Sequence, residues 1–185
     1  MQGLGDCLMK VGIAGIGGIG SNVARHLAQA GVQELKIVDF DTVEAANLNR
    51  QFYTVAQVGR KKTASLAENL QAISPAISID QVEQQIRRED VAPLFADCEV
   101  VVEGFDDKNL KSMLITALAA TDKTVVSASG IAGKDMSGVS VRTIANCHIV
   151  GDFISDEKDF PLFPPKIAMV AAIMAGIVLQ KGGYE

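Results

Sequence analysis

The segment Gly15–Ile16–Gly17–Gly18–Ile19–Gly20 has the spacing GxGxxG, and Asp39 follows 19 residues after Gly20. Each part has a physical task. Gly15 permits a tight turn, Gly17 lets backbone N–H groups approach a phosphate, and Gly20 lets a helix pack closely on a strand. The positive end of the helix dipole then faces the anion, and a carboxylate placed like Asp39 can hold ribose hydroxyls. The pattern points to a nucleotide without choosing one: pyridine dinucleotide, flavin dinucleotide and ATP all satisfy it.

The residues that follow narrow the chemistry. A hydride-transfer enzyme needs one acid after its second strand, which leaves an NAD-dependent oxidoreductase as one reading. Here Asp39 is followed by Asp41, Asn47, Asn49, Arg50 and Gln51, and Lys62 comes twelve residues past Arg50. Further on, Glu103–Gly104–Phe105–Asp106–Asp107 closes another apolar run. In an open α/β sheet the strand C-termini converge on one crevice, so Asp39, Asp41 and Asp106 should meet the glycines there. Arg50 and Lys62 then reach in from the loop. An arginine clamps phosphates through two N–H groups, a lysine adds a point charge, and an acid holds a metal. Two cations and several carboxylates suit a triphosphate with magnesium better than hydride transfer.

The elements that must position these groups alternate along the chain. Val11–Ala14, Leu35–Val38, Ile77–Val82, Val100–Val102 and Thr124–Ser127 read as strands. Helices are expected over Ser21–Ala30 (Val23, Leu27 and Ala30 on one face, Gly31 as stop), Thr63–Ile73 and Leu110–Ala120. Arg87–Arg88–Glu89–Asp90 reads as a solvated helix start. This rhythm predicts a Rossmann-like α/β fold: a mostly parallel sheet with helices on both faces. After Gly130, Val139, Val141 and Thr143 alternate, Ala145–Asn146 can turn, and His148–Val150 can pair back, predicting an antiparallel C-terminal extension. The last helix starts at Pro164–Pro165 and runs to Gln180 before Gly182–Gly183. It is apolar nearly all round, which fits burial within one subunit or in a subunit interface.

Composition bounds the rest. The 185 residues are expected to form a single domain, 48% hydrophobic, with a formal net charge of −5. That acidic balance gives no global pull toward nucleic acid or an anionic membrane. The longest apolar run, Ile167–Leu179, is shorter than the roughly 20 residues of a membrane span, and the N-terminus lacks signal-peptide features. A cytoplasmic protein with neither nucleic acid nor membrane as partner is therefore expected. Cys7, Cys98 and Cys147 form no CxxC pair, so neither zinc nor a disulfide framework is expected.

The glycine run, Asp39-x-Asp41, Asn47–Leu48–Asn49–Arg50–Gln51, Lys62 and Asp106 together resemble the ThiF/MoeB/HesA family, bacterial relatives of the ubiquitin-activating enzymes. The resemblance covers about residues 10–130. It implies ATP-dependent adenylation of the C-terminal glycine of a ubiquitin-like sulfur carrier, such as ThiS in thiamine synthesis or MoaD in molybdopterin synthesis, by a homodimer. The chain's length and its Cys147–Asp152 segment look closest to the short ThiF-like branch. By that resemblance Gly15, Gly17, Gly18, Gly20, Asp39, Asp41, Asn47, Arg50 and Lys62 bind ATP. Arg50, Lys62 and Asp106 are catalytic, and Asp106 holds Mg2+ or positions the α-phosphate. Larger members also carry paired zinc motifs and an arginine upstream of the glycine loop, whereas the first arginine here is Arg25. A nucleotide-binding partner protein without turnover is thus a second alternative. A relative acting on tRNA by the same chemistry is a third, disfavoured by the acidic charge and short length.

Several residues carry two readings. Lys61 competes with Lys62 as the phosphate ligand, and Asp107 can share a metal with Asp106 or cap the next helix. Cys147 is by default a small buried hydrophobe, with a persulfide or thioester role as the alternative. His26 and His148 stand alone. Phe153, Phe160, Leu162 and Phe163 either receive the carrier's tail or pin their loop to the core.

Overall fold

The structure, a computed structural model, describes residues 9–184; Cys7 lies outside them. Seven strands form one sheet: β1 Lys10–Ala14, β2 Glu34–Val38, β3 Ser78–Val82, β4 Val100–Glu103, β5 Thr124–Ala128, β6 Ser140–Ile144 and β7 Cys147–Gly151, in the order β3-β2-β1-β4-β5-β7-β6. Every pairing is parallel except β6 with β7. The expected antiparallel extension is therefore confined to this last hairpin, because β7 runs parallel to β5. Its turn sits at Ala145, with φ 52°. The Asn146 amide donates to the Leu118 and Lys123 carbonyls and ties the turn to the end of β5's approach.

Side chains alternate between the two faces of a strand. Val11, Ile13, Leu35, Ile37, Val100 and Val102 face one way and pack on α1 Gly18–Gln29, α2 Lys62–Ile73 and α5 Pro164–Lys181. Ala14, Val38, Val101 and Val125 face the other way, toward α3 Arg88–Leu94 and α4 Lys108–Leu118. Helices thus cover both faces, as a buried parallel sheet requires. On the second face Gly12 makes room for Phe95: a Cβ on Gly12 would lie 2.5 Å from the Phe95 ring. Helix α1 starts earlier than its apolar spacing predicts, directly from the glycine loop, and Ala30 is exposed beyond its end. Gly31, φ 89°, closes it as expected: the N–H groups of Gly31 and Val32 donate to the Ala28 and Leu27 carbonyls, the pairing of a Schellman stop.

Helix α5 is long and apolar enough by composition to cross a bilayer. Its residues Ile167, Val170, Ala171, Met174 and Val178 are instead buried against α1 and the sheet. Lys166 sits in its first turn, 1% exposed. Its ammonium donates to the Ala132 carbonyl at 2.7 Å and to the Asp152 carboxylate at 2.6 Å. This pair anchors the start of the 152–163 segment. Burial alone would push the Asp152 carboxyl up, but hydrogen bonds from Lys166 and from the N–H groups of Ile154 and Ser155 outweigh it. The carboxyl is held well below the usual carboxylate range.

A depressed folded-state value contributes stability that is complete above the unfolded carboxyl's value, about 4, and is lost as pH falls through the folded one. At neutral pH Asp152→Asn should cost about 3 kcal/mol, since it strands a buried ammonium. Below about pH 4 the gap to wild type should narrow. Urea unfolding at a series of pH values checks this; a gap independent of pH would contradict it.

Candidate functional site

Strand order reverses between β1 and β4, which leaves a crevice at their C-terminal ends. Its volume is about 560 Å³, and Gly15, Gly17, Gly18, Asp39, Asp41, Arg50, Lys62 and Asp106 all line it. Gly20 lies behind this wall and supports it: a Cβ there would sit 2.0 Å from the Gly15 carbonyl oxygen. Gly104 approaches the same oxygen, with a would-be Cβ at 2.4 Å. The Gly15 backbone, φ 82°, thus passes between the start of α1 and the end of β4.

Asp39 does two things at once. One carboxylate oxygen accepts the Ile16 N–H and the other the Asp41 N–H, each at 2.9 Å. It therefore fixes the glycine loop from β2 while keeping lone pairs for ribose hydroxyls. Lys62, 6% exposed, reaches the crevice and donates to Asp41 at 2.8 Å. Lys61 instead points to the Phe40 carbonyl and to Glu83 at 2.6 Å and lines no part of the crevice. Arg50 donates to the Ala46 carbonyl and to the Asn49 side chain. Gln51 adds a buried side-chain oxygen with no protein partner among the described residues. A buried acceptor left open at the rim fits a ligand that brings a donor.

Asn47, read from the sequence as a phosphate contact, has its side chain engaged in its own turn. Its side-chain oxygen accepts the Glu44 N–H at 3.1 Å and caps its own short 3-10 turn, Ala45–Asn47, outside the crevice lining. It serves Arg50 through the backbone, because its carbonyl accepts the Arg50 and Gln51 N–H groups. Three residues not singled out from sequence complete this frame. Ser21 donates to the Gly17 carbonyl and accepts the Phe52 N–H. Asn22 donates to the Gly18 and Arg50 carbonyls at 2.7 and 2.8 Å. The Tyr53 hydroxyl donates to the Ile16 carbonyl; burial, then the charges of Asp39 and Asp41, hold that phenol far above its usual range. The available signal was a pair of polar residues, Ser21 and Asn22, directly after the glycine loop on a helix bound for the core.

Asp106 is exposed to the crevice and forms no hydrogen bond among the described residues, whereas Asp107 caps α4 through the N–H groups of Asn109 and Leu110. Among the described residues no group of three or more acidic, His or Cys side chains could hold a metal. Mg2+ rarely needs such a cage: one or two carboxylates with substrate phosphates and water suffice. A free Asp106 beside the glycine loop fits that requirement.

Phe153, Ile154 and Leu162 line the far end of the crevice, and Phe160 is exposed. Phe153 is also pinned, with the Arg142 guanidinium 3.9 Å from its ring centroid. Both buried thiols are held in the protonated form: burial, then the Glu103 charge, pushes Cys147 up to about 11, and burial, then Asp97, pushes Cys98 up to about 12. His148 meets its cross-strand neighbour Thr143 at 3.0 Å, and burial followed by Arg25 lowers His26. Neither histidine lines the crevice.

Comparison with known proteins shows the family and the fold. Over 123 residues the chain is 34% identical to the molybdopterin-synthase adenylyltransferase of Escherichia coli K12, covering 66% of this chain and 49% of that protein. The adenylyltransferase and sulfurtransferase UBA4 of Candida glabrata is equally similar, with 28% of its length covered. The chain therefore spans about half or less of these curated relatives. Its fold is shared with E. coli tRNA N6-threonylcarbamoyladenosine dehydratase, TcdA, in complex with AMP (TM-score 0.87, 21% identity, 96% of this chain and 87% of that one). It is shared also with E. coli MccB (TM-score 0.78, 23% identity, 97% and 58%). The model of the ThiF family matches residues 7–181, from the first strand through the last helix, and the chain belongs to that family.

Proposed function

We propose that the chain uses ATP to adenylate the terminal carboxylate of a ubiquitin-like carrier protein, and that this carrier is a ThiS-like sulfur carrier of thiamine thiazole synthesis. The convergence of Arg50, Lys62 and an unpartnered Asp106 on the glycine loop carries this reading. A nicotinamide cofactor would leave all three without a task. The glycine-loop N–H groups and Asp39 hold the phosphates and the ribose, and Arg50 and Lys62 neutralise the triphosphate. Asp106 would hold Mg2+, which when bound offsets further phosphate charge. One oxygen of the carrier's carboxylate then bonds to the α-phosphorus. The bond from that phosphorus to the bridging oxygen breaks, and pyrophosphate leaves with its electron pair. The carboxylate is already ionised at neutral pH, so no protein nucleophile is required, in keeping with two buried, protonated thiols. Catalysis rests on positioning and charge neutralisation. The exposed stripe of Met169, Ala172 and Gln180 along apolar α5 supports a homodimer as the working assembly, in the cytoplasm.

The test is carrier-dependent exchange of labelled pyrophosphate into ATP. Wild type should catalyse it with a carrier ending in Gly–Gly. Arg50→Ala and Asp106→Ala should each lower the rate about 100- to 1000-fold with an unchanged circular dichroism spectrum. Tight ATP binding without exchange with any such carrier would point to a nucleotide-binding protein without turnover, and NADH binding without ATP binding would reverse the class.

The thiols give an independent check. In a Cys7→Ser background, iodoacetamide at about pH 8, well below both thiol values, should label neither Cys98 nor Cys147 until urea is added. Cys147→Ala should keep wild-type exchange; its loss would place that sulfur in the reaction.

A further inference from the structure

Strand β4 is apolar over Val100–Val102 and then ends in Glu103, which is 0% exposed. A carboxylate taken wholly out of water is costly unless it is paired and hydrogen-bonded. Glu103 is both. One oxygen accepts the Phe105 N–H at 2.7 Å. The other accepts the Ser127 hydroxyl of β5 at 2.6 Å and the Lys111 ammonium of α4. One buried charge therefore joins β4, β5 and α4 beneath the 104–106 turn.

That turn has little freedom. The Gly104 N–H donates to the Ala14 carbonyl at 2.8 Å, and its α-carbon lies against the Gly15 oxygen. The Phe105 ring presses on Gly15, where a Cβ would meet it at 3.0 Å. After the turn, Asp107 is locked as the cap of α4. Between these fixed points stands Asp106, whose carboxylate makes no hydrogen bond among the described residues. Its direction is set by the backbone on either side, and on the near side the fixing contact is Glu103 to the Phe105 N–H.

We infer that Glu103, braced by Lys111 and Ser127, is a positioning residue that fixes the Phe105 peptide so that the Asp106 carboxylate faces the phosphate loop. The inference deepens the adenylation reading and rests on it for its kinetic consequence. Glu103 lines the inner wall of the crevice beside Lys111, yet in this role it acts through the Phe105 peptide and not on substrate. Its charge makes the Phe105 bond strong, and its two braces keep that charge from rotating away. Ser127, which does not line the crevice, acts at one further remove.

Two measurements test it. Amide hydrogen exchange by NMR on the ligand-free protein reads the positioning directly. Glu103→Gln replaces a charged acceptor by a neutral one and should speed exchange of the Phe105 amide about ten-fold. Ser127→Ala should speed it less, and the Leu110 amide at the Asp107 cap should not change in either. Unchanged Phe105 exchange in both variants overturns the inference, whatever the activity. In the pyrophosphate-exchange assay Glu103→Gln should lower kcat about 10- to 100-fold, the range for support of a ligating carboxylate, with KM for ATP unchanged. Combined with Asp106→Asn, it should cost nothing beyond Asp106→Asn alone; additive losses would show that Glu103 acts elsewhere. If wild type catalyses no exchange with any carrier, the adenylation reading fails, and the amide measurement still decides the positioning.

Discussion

The crevice depends on one close approach. The Gly15 carbonyl oxygen sits where the start of α1 and the end of β4 leave no room for a Cβ, at 2.0 Å over Gly20 and 2.4 Å over Gly104. A side chain at either place would push helix from strand or part β1 from β4. Because β1 and β4 flank the reversal in strand order, parting them would widen the floor on which the glycine-loop N–H groups lie. The glycines act by being small as much as by being flexible. Only Gly15 among these three needs a positive φ.

Around that contact the polar segment after β2 is bound to the glycine loop by hydrogen bonds that are partly buried, and in the case of Tyr53 fully so. Ser21, Asn22 and Tyr53 each connect a loop carbonyl to the 50–53 stretch. Asp39 reaches back to Ile16 from the opposite side. Arg50 and the glycine loop are therefore tied into one frame, although Gly20 and Arg50 are 30 residues apart in sequence. Buried, satisfied bonds of this kind are costly to break, because each leaves a polar group stranded. Preorganisation of a phosphate site needs such a frame, since donors that must first be oriented lose much of their catalytic value.

Much of this was legible from residue type and spacing. Alternating strands and helices, the glycine turn from β1 into α1, Asp39 at the end of β2, the placing of Lys62 rather than Lys61 at the crevice and the Asp107 cap all follow from local patterns. Local patterns carry their own physics. What stayed hidden depends on tertiary neighbours. Glu103 reads as a polar strand end until β5 and α4 close over it. Asn47 has a side chain equally suited to a phosphate or to its own backbone, and only the short turn chooses. The hairpin pattern of β6 and β7 announces an antiparallel pair but says nothing about which strand joins β5. Gly12 and Gly104 look like ordinary residues of a strand and its end until Phe95 and Gly15 are seen against them.

The cations separate by the burial of their partners. Lys166 is held by Asp152, whose side chain is 13% exposed, and Lys111 by Glu103, whose side chain is fully buried. A ligand cannot replace such a partner without stranding a charge, so these lysines brace the walls. Lys62 is as secluded as a structural lysine, yet its partner Asp41 is 46% exposed. Asp41 can turn into water where phosphate oxygens take its place on the Lys62 ammonium, so that the buried charge is never left unpaired. Arg50 is likewise held by a carbonyl and a neutral amide rather than by a carboxylate. Both cations are thus aimed by partners weak enough to yield to phosphate oxygens. On the proposed function, a chain with a net charge of −5 would meet its polyanion through these two local groups, and the exchangeability of their partners, more than their number, would fit them to receive it.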